Sequence, residues 1–238
     1  LTAGRLLAKI RNGFALVMDL HANRSDLAHA AEEGGVDAIA VQINGEGIVG
    51  GGEFGSFELE EPYLREVRET VSLPVGINIG AMRALTPKEW EAILSIGFDF
   101  VTMYAHDMPL FVLGDNRITK IAAVGSGYLL EQIRAIAENR LVDAVEMAYV
   151  SRKRYGTPLD LLDLSTVSLI AKATCKPILL PTQKAVKPEH IAFLKASGCR
   201  GLVLNRFVAG TTPESYERAA RWFRTYLDAH ASPLEVLE

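Results

Sequence analysis

Eight short, nearly continuous apolar runs recur along the chain, at residues 14–20, 37–43, 74–79, 98–105, 118–124, 143–149, 177–180 and 201–205. Runs of this kind, apolar at successive positions rather than at alternate ones, mark strands buried on both faces, as in a parallel sheet covered by helices. The stretches between them carry helix start and stop signals. Thr86-Pro87-Lys88-Glu89 has a hydroxyl at the N-cap, proline at the first helical position and a carboxylate three residues on, and that helix is predicted to stop near Gly97. Thr212-Pro213 opens the last helix in the same way, with Glu214 at its positive end. Gly34-Gly35 and Gly198 stand just before new strands, where helix C-caps are expected.

The repeated order of strand, helix, glycine and strand predicts an α/β fold, a single closed (β/α)8 TIM barrel spanning residues 1–238. An open doubly wound sheet is the alternative. The fourth connection, residues 107–117, is the critical one, because a parallel crossover needs about ten residues or more. If residues 118–124 were helical, the count of eight would fail. No linker or low-complexity stretch marks a second domain.

A barrel strand alternates its side chains between the interior and the helical shell, so position parity sorts them. Asp19 shares a face with Ala15 and Val17, and Gln42 and Asn44 share one with Ala38 and Ala40. Asn78 lies between Gly76 and Gly80, Glu146 between Ala144 and Ala148, and Asn205 follows Gly201 and Val203. Five times the late polar residue falls on the face with the smaller neighbours. Small side chains suit a crowded interior, which predicts that these polar groups converge at the C-terminal mouth, where barrel enzymes hold their chemistry.

Among the candidates, Asp19 and Glu146 weigh most, because an unpaired buried carboxylate costs several kcal/mol. Each is read as a proton-handling group or as the partner of a cation such as Lys184 or Arg206. Lys184, after Gln183 at the end of the seventh run, is read as an anion holder or an imine-forming amine. His21 and His106, with Tyr104 nearby, are further acid–base or substrate-contacting positions. Asp19-x-His21 with a remote histidine is only a thin metal signal, and no metal ligand set is assigned. Gly45-Glu46-Gly47-Ile48-Val49-Gly50 fits a dinucleotide fingerprint formally, but helical pattern resumes only near Glu60, so no cofactor is expected. A loop over the mouth is the better reading.

A net charge of −4 argues against a nucleic-acid partner, and no apolar run reaches the roughly 18 residues needed to cross a bilayer. Two cysteines without a CxxC read as reduced core thiols of a soluble, cytoplasmic protein. The expected partner is a small anionic substrate. Phe111, Trp222 and Phe223 are candidates for a homo-oligomer contact, although aromatic residues at helical spacing also build cores.

Ala15-Leu16-Val17-Met18-Asp19 with Asp37-Ala38-Ile39-Ala40-Val41, and the final Gly201-Leu202-Val203-Leu204-Asn205-Arg206, resemble the phosphate-binding barrels of the ribulose-phosphate-binding type. By position the resemblance implies a ligand-binding carboxylate at Asp19 and a phosphate-side cation at Arg206. It departs at Asn205 and at Pro181-Thr182-Gln183-Lys184, where that group carries glycines. It also departs at Gly76-Ile77-Asn78-Ile79-Gly80, which lacks the Asp-x-Lys-x-x-Asp of the orotidine-phosphate decarboxylase relatives within that group. The leading expectation is a metal-independent lyase, isomerase or synthase acting on a small phosphorylated or carboxylated metabolite. A metal-dependent hydrolase or aldolase using Asp19, His21, His106 and Glu146, and a non-catalytic ligand-binding or assembly barrel, stand beside it.

Overall fold

A computed structural model describes residues 4–45 and 53–230. Its strands are β1 (Ala15–Asp19), β2 (Ala38–Ile43), β3 (Val75–Ile79), β4 (Phe100–Tyr104), β5 (Thr119–Gly125), β6 (Ala144–Ala148), β7 (Ile178–Pro181) and β8 (Cys199–Leu204). They pair in parallel and in chain order, and β8 returns to β1, so the barrel is closed. Around it run α1 (Arg5–Asn12), α2 (Ser25–Glu33), α3 (Phe57–Thr70), α4 (Pro87–Ile96) and α5 (Leu110–Leu113). The shell continues with α6 (Leu130–Glu138), α7 (Leu161–Ala173), α8 (Ile191–Ala196), α9 (Arg206–Ala209) and α10 (Pro213–Ala229). The critical fourth connection holds only the single turn α5, yet β5 forms in full register against β4 and β6. The predicted eightfold (β/α) barrel is the fold.

The capping box at Thr86 and Glu89 closes as the sequence requires, and Gly97 ends α4 with φ 86°, a conformation that side chains disfavour. The hydroxyl of Thr212 likewise caps α10. Helix α3 begins at Phe57, three residues ahead of the expected Glu60.

Parity decides the interior. Ala15, Val17, Ala38, Ala40, Ala144 and Val203 form one buried cluster inside the barrel together with Phe100, Ile121 and Leu179. Leu6 and Ile10 of the amphipathic α1 join that cluster, so α1 plugs the N-terminal end of the barrel. The interior packs large against small: a Cβ on Gly76 would meet the Phe100 ring at 2.1 Å. Strands also lock to one another through an aspartate that precedes every second strand. Asp37, Asp99 and Asp143 each accept the main-chain N–H of a residue on the preceding strand, Leu16, Val75 and Lys120, at 2.8–2.9 Å. This Val-Asp-Ala or Phe-Asp-Phe signature opens β2, β4 and β6. Arg200 holds the matching place in β8.

Two side expectations need correction. Cys199 is buried, but Cys175 is exposed in the connection after α7, so it is not a core thiol. Phe223 is fully buried under α10 and Phe111 packs partly on the core, leaving only Trp222 half-exposed. No helix among the described residues is long and apolar enough to cross a membrane. The glycine loop, apart from Gly45, lies outside the described residues.

The Gly76–Phe100 contact yields a stability test. Gly76→Ala should lower unfolding free energy by about 1–3 kcal/mol through overpacking. Adding Phe100→Leu, which removes the ring from that space, should restore part of the loss. Denaturant midpoints of the two variants check this, and equal midpoints for Gly76→Ala and the parent would contradict it.

Candidate functional site

At the C-terminal mouth the barrel opens into a cavity of about 480 Å³. Its floor carries polar residues from inward positions of β1 to β4 and of β6, Asp19, Gln42, Asn78, Thr102 and Glu146, with Ala123 of β5 between the last two. Gln42 lies in register with Asn78, and Asn78 with Thr102, so the polar groups form a belt at one level. Asn23 holds the Gln42 peptide from both sides, donating to its carbonyl at 2.7 Å and accepting its N–H at 3.0 Å.

Asp19 Oδ1 accepts from Gln42 Nε2 at 2.7 Å and from Asn78 Nδ2 at 3.0 Å. With Oδ1 taken by two amide donors, Oδ2 is the oxygen left to bear a proton. Burial pushes the Asp19 carboxyl up to about 7, against the pull of those two hydrogen bonds. Burial also pushes Glu146 up, and the negative charge of Asp19 adds to the effect, to about 8. The two carboxyls therefore titrate as a pair, near neutral pH instead of near pH 4.

One wall carries Tyr104, His106 and Asp107. Tyr104 aligns with Ala123, and Ala123 with Glu146, so a methyl group lies between the phenol and the acid. Burial first, then the Glu146 charge, lifts the Tyr104 phenol to about 12. His106 is oriented by Tyr128, whose oxygen accepts the His106 backbone N–H at 3.1 Å and bonds Nδ1. The other ring nitrogen, Nε2, lies 3.3 Å from the Asp107 carboxylate, which can only accept, so a hydrogen on Nε2 suits this arrangement. The lining is completed by the loop after β6, with Arg152 and Tyr155, and by Gly80, Ala81 and Met82 after β3.

The remaining sequence candidates fall elsewhere. Lys184 is buried and does not line the cavity. Its ammonium lies 3.0 Å from the equally buried Asp163 and 3.3 Å from Asp160, and donates to Thr157 Oγ1 and the Pro158 carbonyl. All its donors are engaged, which removes the anion-holding and imine-forming readings. Gln183 is buried behind the wall, bonded to Tyr155. His21 repeats the His106 device with Tyr216, whose oxygen accepts its N–H at 3.0 Å and bonds Nδ1 at 2.8 Å. Burial, then Arg24 and Arg206, hold His21 below its ordinary value. It does not reach the cavity.

Asn44 ends β2 at φ 51°, and this left-handed turn takes it off the inner face that parity assigned. Asn205 is buried and caps α9 through Oδ1, while its Nδ2, like that of Asn44, finds no acceptor among the described residues. Arg206 lies over the Phe207 ring and faces a separate groove beside α10. The described residues contain no group of three or more His, Cys, Asp or Glu that could hold a metal ion, and Asp19, His21, His106 and Glu146 are not gathered into one.

Sequence reasoning missed Thr102, Arg152 and Tyr155. Thr102 was within reach, since parity puts it on the inner face with Phe100 and Tyr104. The basic and aromatic run Ser151-Arg152-Lys153-Arg154-Tyr155 directly after β6 was the available signal for the loop wall.

No protein-family model matches the chain, and no curated protein matches it. Solved structures do match in fold. Thiamine phosphate pyrophosphorylase from Pyrococcus furiosus superposes with a TM-score of 0.64 at 18% identity, over 92% of this chain and 98% of that one. A mutant tryptophan synthase alpha-subunit from the same organism gives 0.66 at 13%, over 90% and 98%. A protein from Aquifex aeolicus gives 0.67 at 15%, over 94% and 99%. The weak resemblance to phosphate-binding barrels thus holds at the level of the fold.

Two outcomes are expected. For a carboxyl whose folded value lies above its unfolded one, the stabilising contribution is full at acid pH and is lost as pH rises through the folded value. Glu146→Gln should therefore gain on the parent between pH 5 and pH 9, ending more stable by on the order of 1–3 kcal/mol. A stability difference that does not change with pH would contradict the assignment. Lys184→Met strands Asp163 and should cost about 3–5 kcal/mol, with Lys184→Met/Asp163→Leu recovering most of it. Urea midpoints decide, and a neutral single variant would refute the buried pair.

Proposed function

We propose that this barrel is an enzyme of the lyase, isomerase or synthase kind, moving protons on a small carboxylated or phosphorylated metabolite without a metal ion. The observation that carries the reading is the pair of inward carboxyls on one cavity, both pushed to the neutral range. A pair that carries one proton near neutral pH supplies a base and an acid together. Asp19, with the lower value and two amide donors to its charge, is the base. Glu146 is the acid. In such a reaction Asp19 takes a proton from carbon beside a carbonyl, the C–H pair forms a C=C bond as the C=O pair moves onto oxygen, and Glu146 delivers its proton to that oxygen, giving the enol.

The surrounding groups support an anionic, oxygen-rich substrate. Arg152 offers a guanidinium to a carboxylate or phosphate, and Asn78, Thr102 and Tyr104 offer hydrogen bonds to hydroxyl or carbonyl groups. Arg152 lines the cavity, whereas Lys184 and Arg206 do not, so the anion-binding role expected of those two is assigned to Arg152. Metal independence rests on the donor set. A carboxyl oxygen already saturated by two amides, and a partner acid that favours its proton, suit proton transfer better than ligation. Two of the structures similar in fold are a thiamine phosphate pyrophosphorylase and a tryptophan synthase alpha-subunit, which agrees with small-molecule chemistry on this fold. Fold likeness alone carries no reaction.

The test is solvent exchange. Panels of small hydroxy- and oxo-carboxylates and sugar phosphates are incubated in deuterium oxide and followed by proton NMR. At least one should lose a carbon-bound proton signal with the parent protein. Asp19→Asn and Glu146→Gln should each slow that exchange by roughly 10²–10⁴. Exchange that survives both substitutions at the parent rate would refute the assignment, as would none across the panel.

A further inference from the structure

The loop after β6 is fastened to the chain that continues from β7. Gly156 N donates to the Gln183 carbonyl at 2.8 Å, and Ala185 N to the Thr157 carbonyl at 2.9 Å. Pro158 and Ala185 form an isolated parallel bridge, and Lys184 reaches Thr157 and Pro158 beneath it. The segment that bears Arg152 and Tyr155 is therefore held in one place against the cavity.

Within this zip the direction of one hydrogen bond is decided by the backbone. Gln183 Oε1 lies 3.2 Å from the main-chain nitrogen of Val150, which can only donate. The other end of the same amide, Nε2, lies 2.9 Å from the Tyr155 phenol oxygen. An amide nitrogen only donates, so the phenol oxygen accepts, and the Tyr155 proton stays uncommitted to Gln183. Ring rotation is limited by Phe207, packed edge to face with centroids 5.9 Å apart. The phenol lines the cavity together with Arg152, whose positive charge acts on it.

We infer that Tyr155 is a directed hydrogen-bond donor to an oxygen of the bound substrate's anionic or carbonyl group, acting beside Arg152, and that Gln183 is its positioning residue. The inference rests on reading the cavity as a substrate site. Gln183, buried behind the wall, never touches substrate; its part is to occupy the phenol's acceptor side so that the O–H has only the cavity to serve. The recognised chemistry is an oxygen-rich anion, carboxylate or phosphate, with one oxygen shared between a guanidinium and a phenol.

The experiment uses the full chain labelled with carbon-13 at the tyrosine ring carbon bearing oxygen. Tyr155→Phe assigns the signal. Gln183→Glu keeps the size of the side chain but presents only acceptors, which turns the phenol proton away from the cavity. In the free protein, Tyr155 should then titrate about one pH unit or more above its parent position, because a neighbouring carboxylate disfavours the phenolate. Oxalate and inorganic phosphate are the probes for binding by calorimetry. The parent should bind at least one, and Tyr155→Phe and Gln183→Glu should each bind it about tenfold or more weakly.

If Tyr155 titrates in Gln183→Glu at or below its parent value, Gln183 does not hold the phenol and the inference falls. Equal affinity of Tyr155→Phe and the parent overturns the donor role while leaving the cavity as a site. A parent protein that binds neither probe overturns the reading of the cavity, and the inference with it.

Discussion

Two buried carboxyl groups on one cavity, Asp19 and Glu146, resist ionising together at neutral pH. Burial raises both, and the charge of one raises the other. Everything proposed for the site follows from that constraint. It keeps one proton within the pair near neutrality, divides base from acid by a small difference in environment, and explains why the belt around Asp19 consists of amides. Gln42 and Asn78 solvate its charge without supplying a counter-charge that would pull the carboxyl back toward its ordinary range.

The barrel is what makes such a pair possible. Small residues at Ala15, Ala38, Ala40, Gly76 and Ala144 leave little interior volume lower down, and Phe100 and the plug from α1 fill it. Above that packed level, inward side chains have room to be polar, and the helical shell screens them from bulk water. The loop after β6 completes the enclosure. Its anchor is the Lys184–Asp163 pair together with Gln183, so residues that seemed to belong to the chemistry serve instead to hold Tyr155 and Arg152 in place.

Much of this was legible in the chain. The strands stood out because burial on both faces leaves continuous apolar runs. The inward face stood out because crowding selects small neighbours for Asp19, Gln42, Asn78 and Glu146. Legibility failed where partners are distant in sequence or where backbone geometry intervenes. Nothing at Lys184 announces Asp163, which lies 21 residues earlier on α7, so in sequence a buried cation reads as a mouth cation. At Asn44 a single left-handed residue ends the alternation, which parity counting cannot sense. Arg152 and Tyr155 sit on a loop, beyond the reach of any strand periodicity. The aspartates Asp37, Asp99 and Asp143 repeat in sequence, each just ahead of β2, β4 or β6.

The most direct measurement is carbon-13 NMR titration of the side-chain carboxyls, with Asp19→Asn and Glu146→Gln assigning the two signals. The account predicts midpoints near 7 and 8, and a downward move of the Glu146 midpoint when Asp19 is neutralised. Two independent transitions near pH 4, indifferent to each other's substitution, would contradict it.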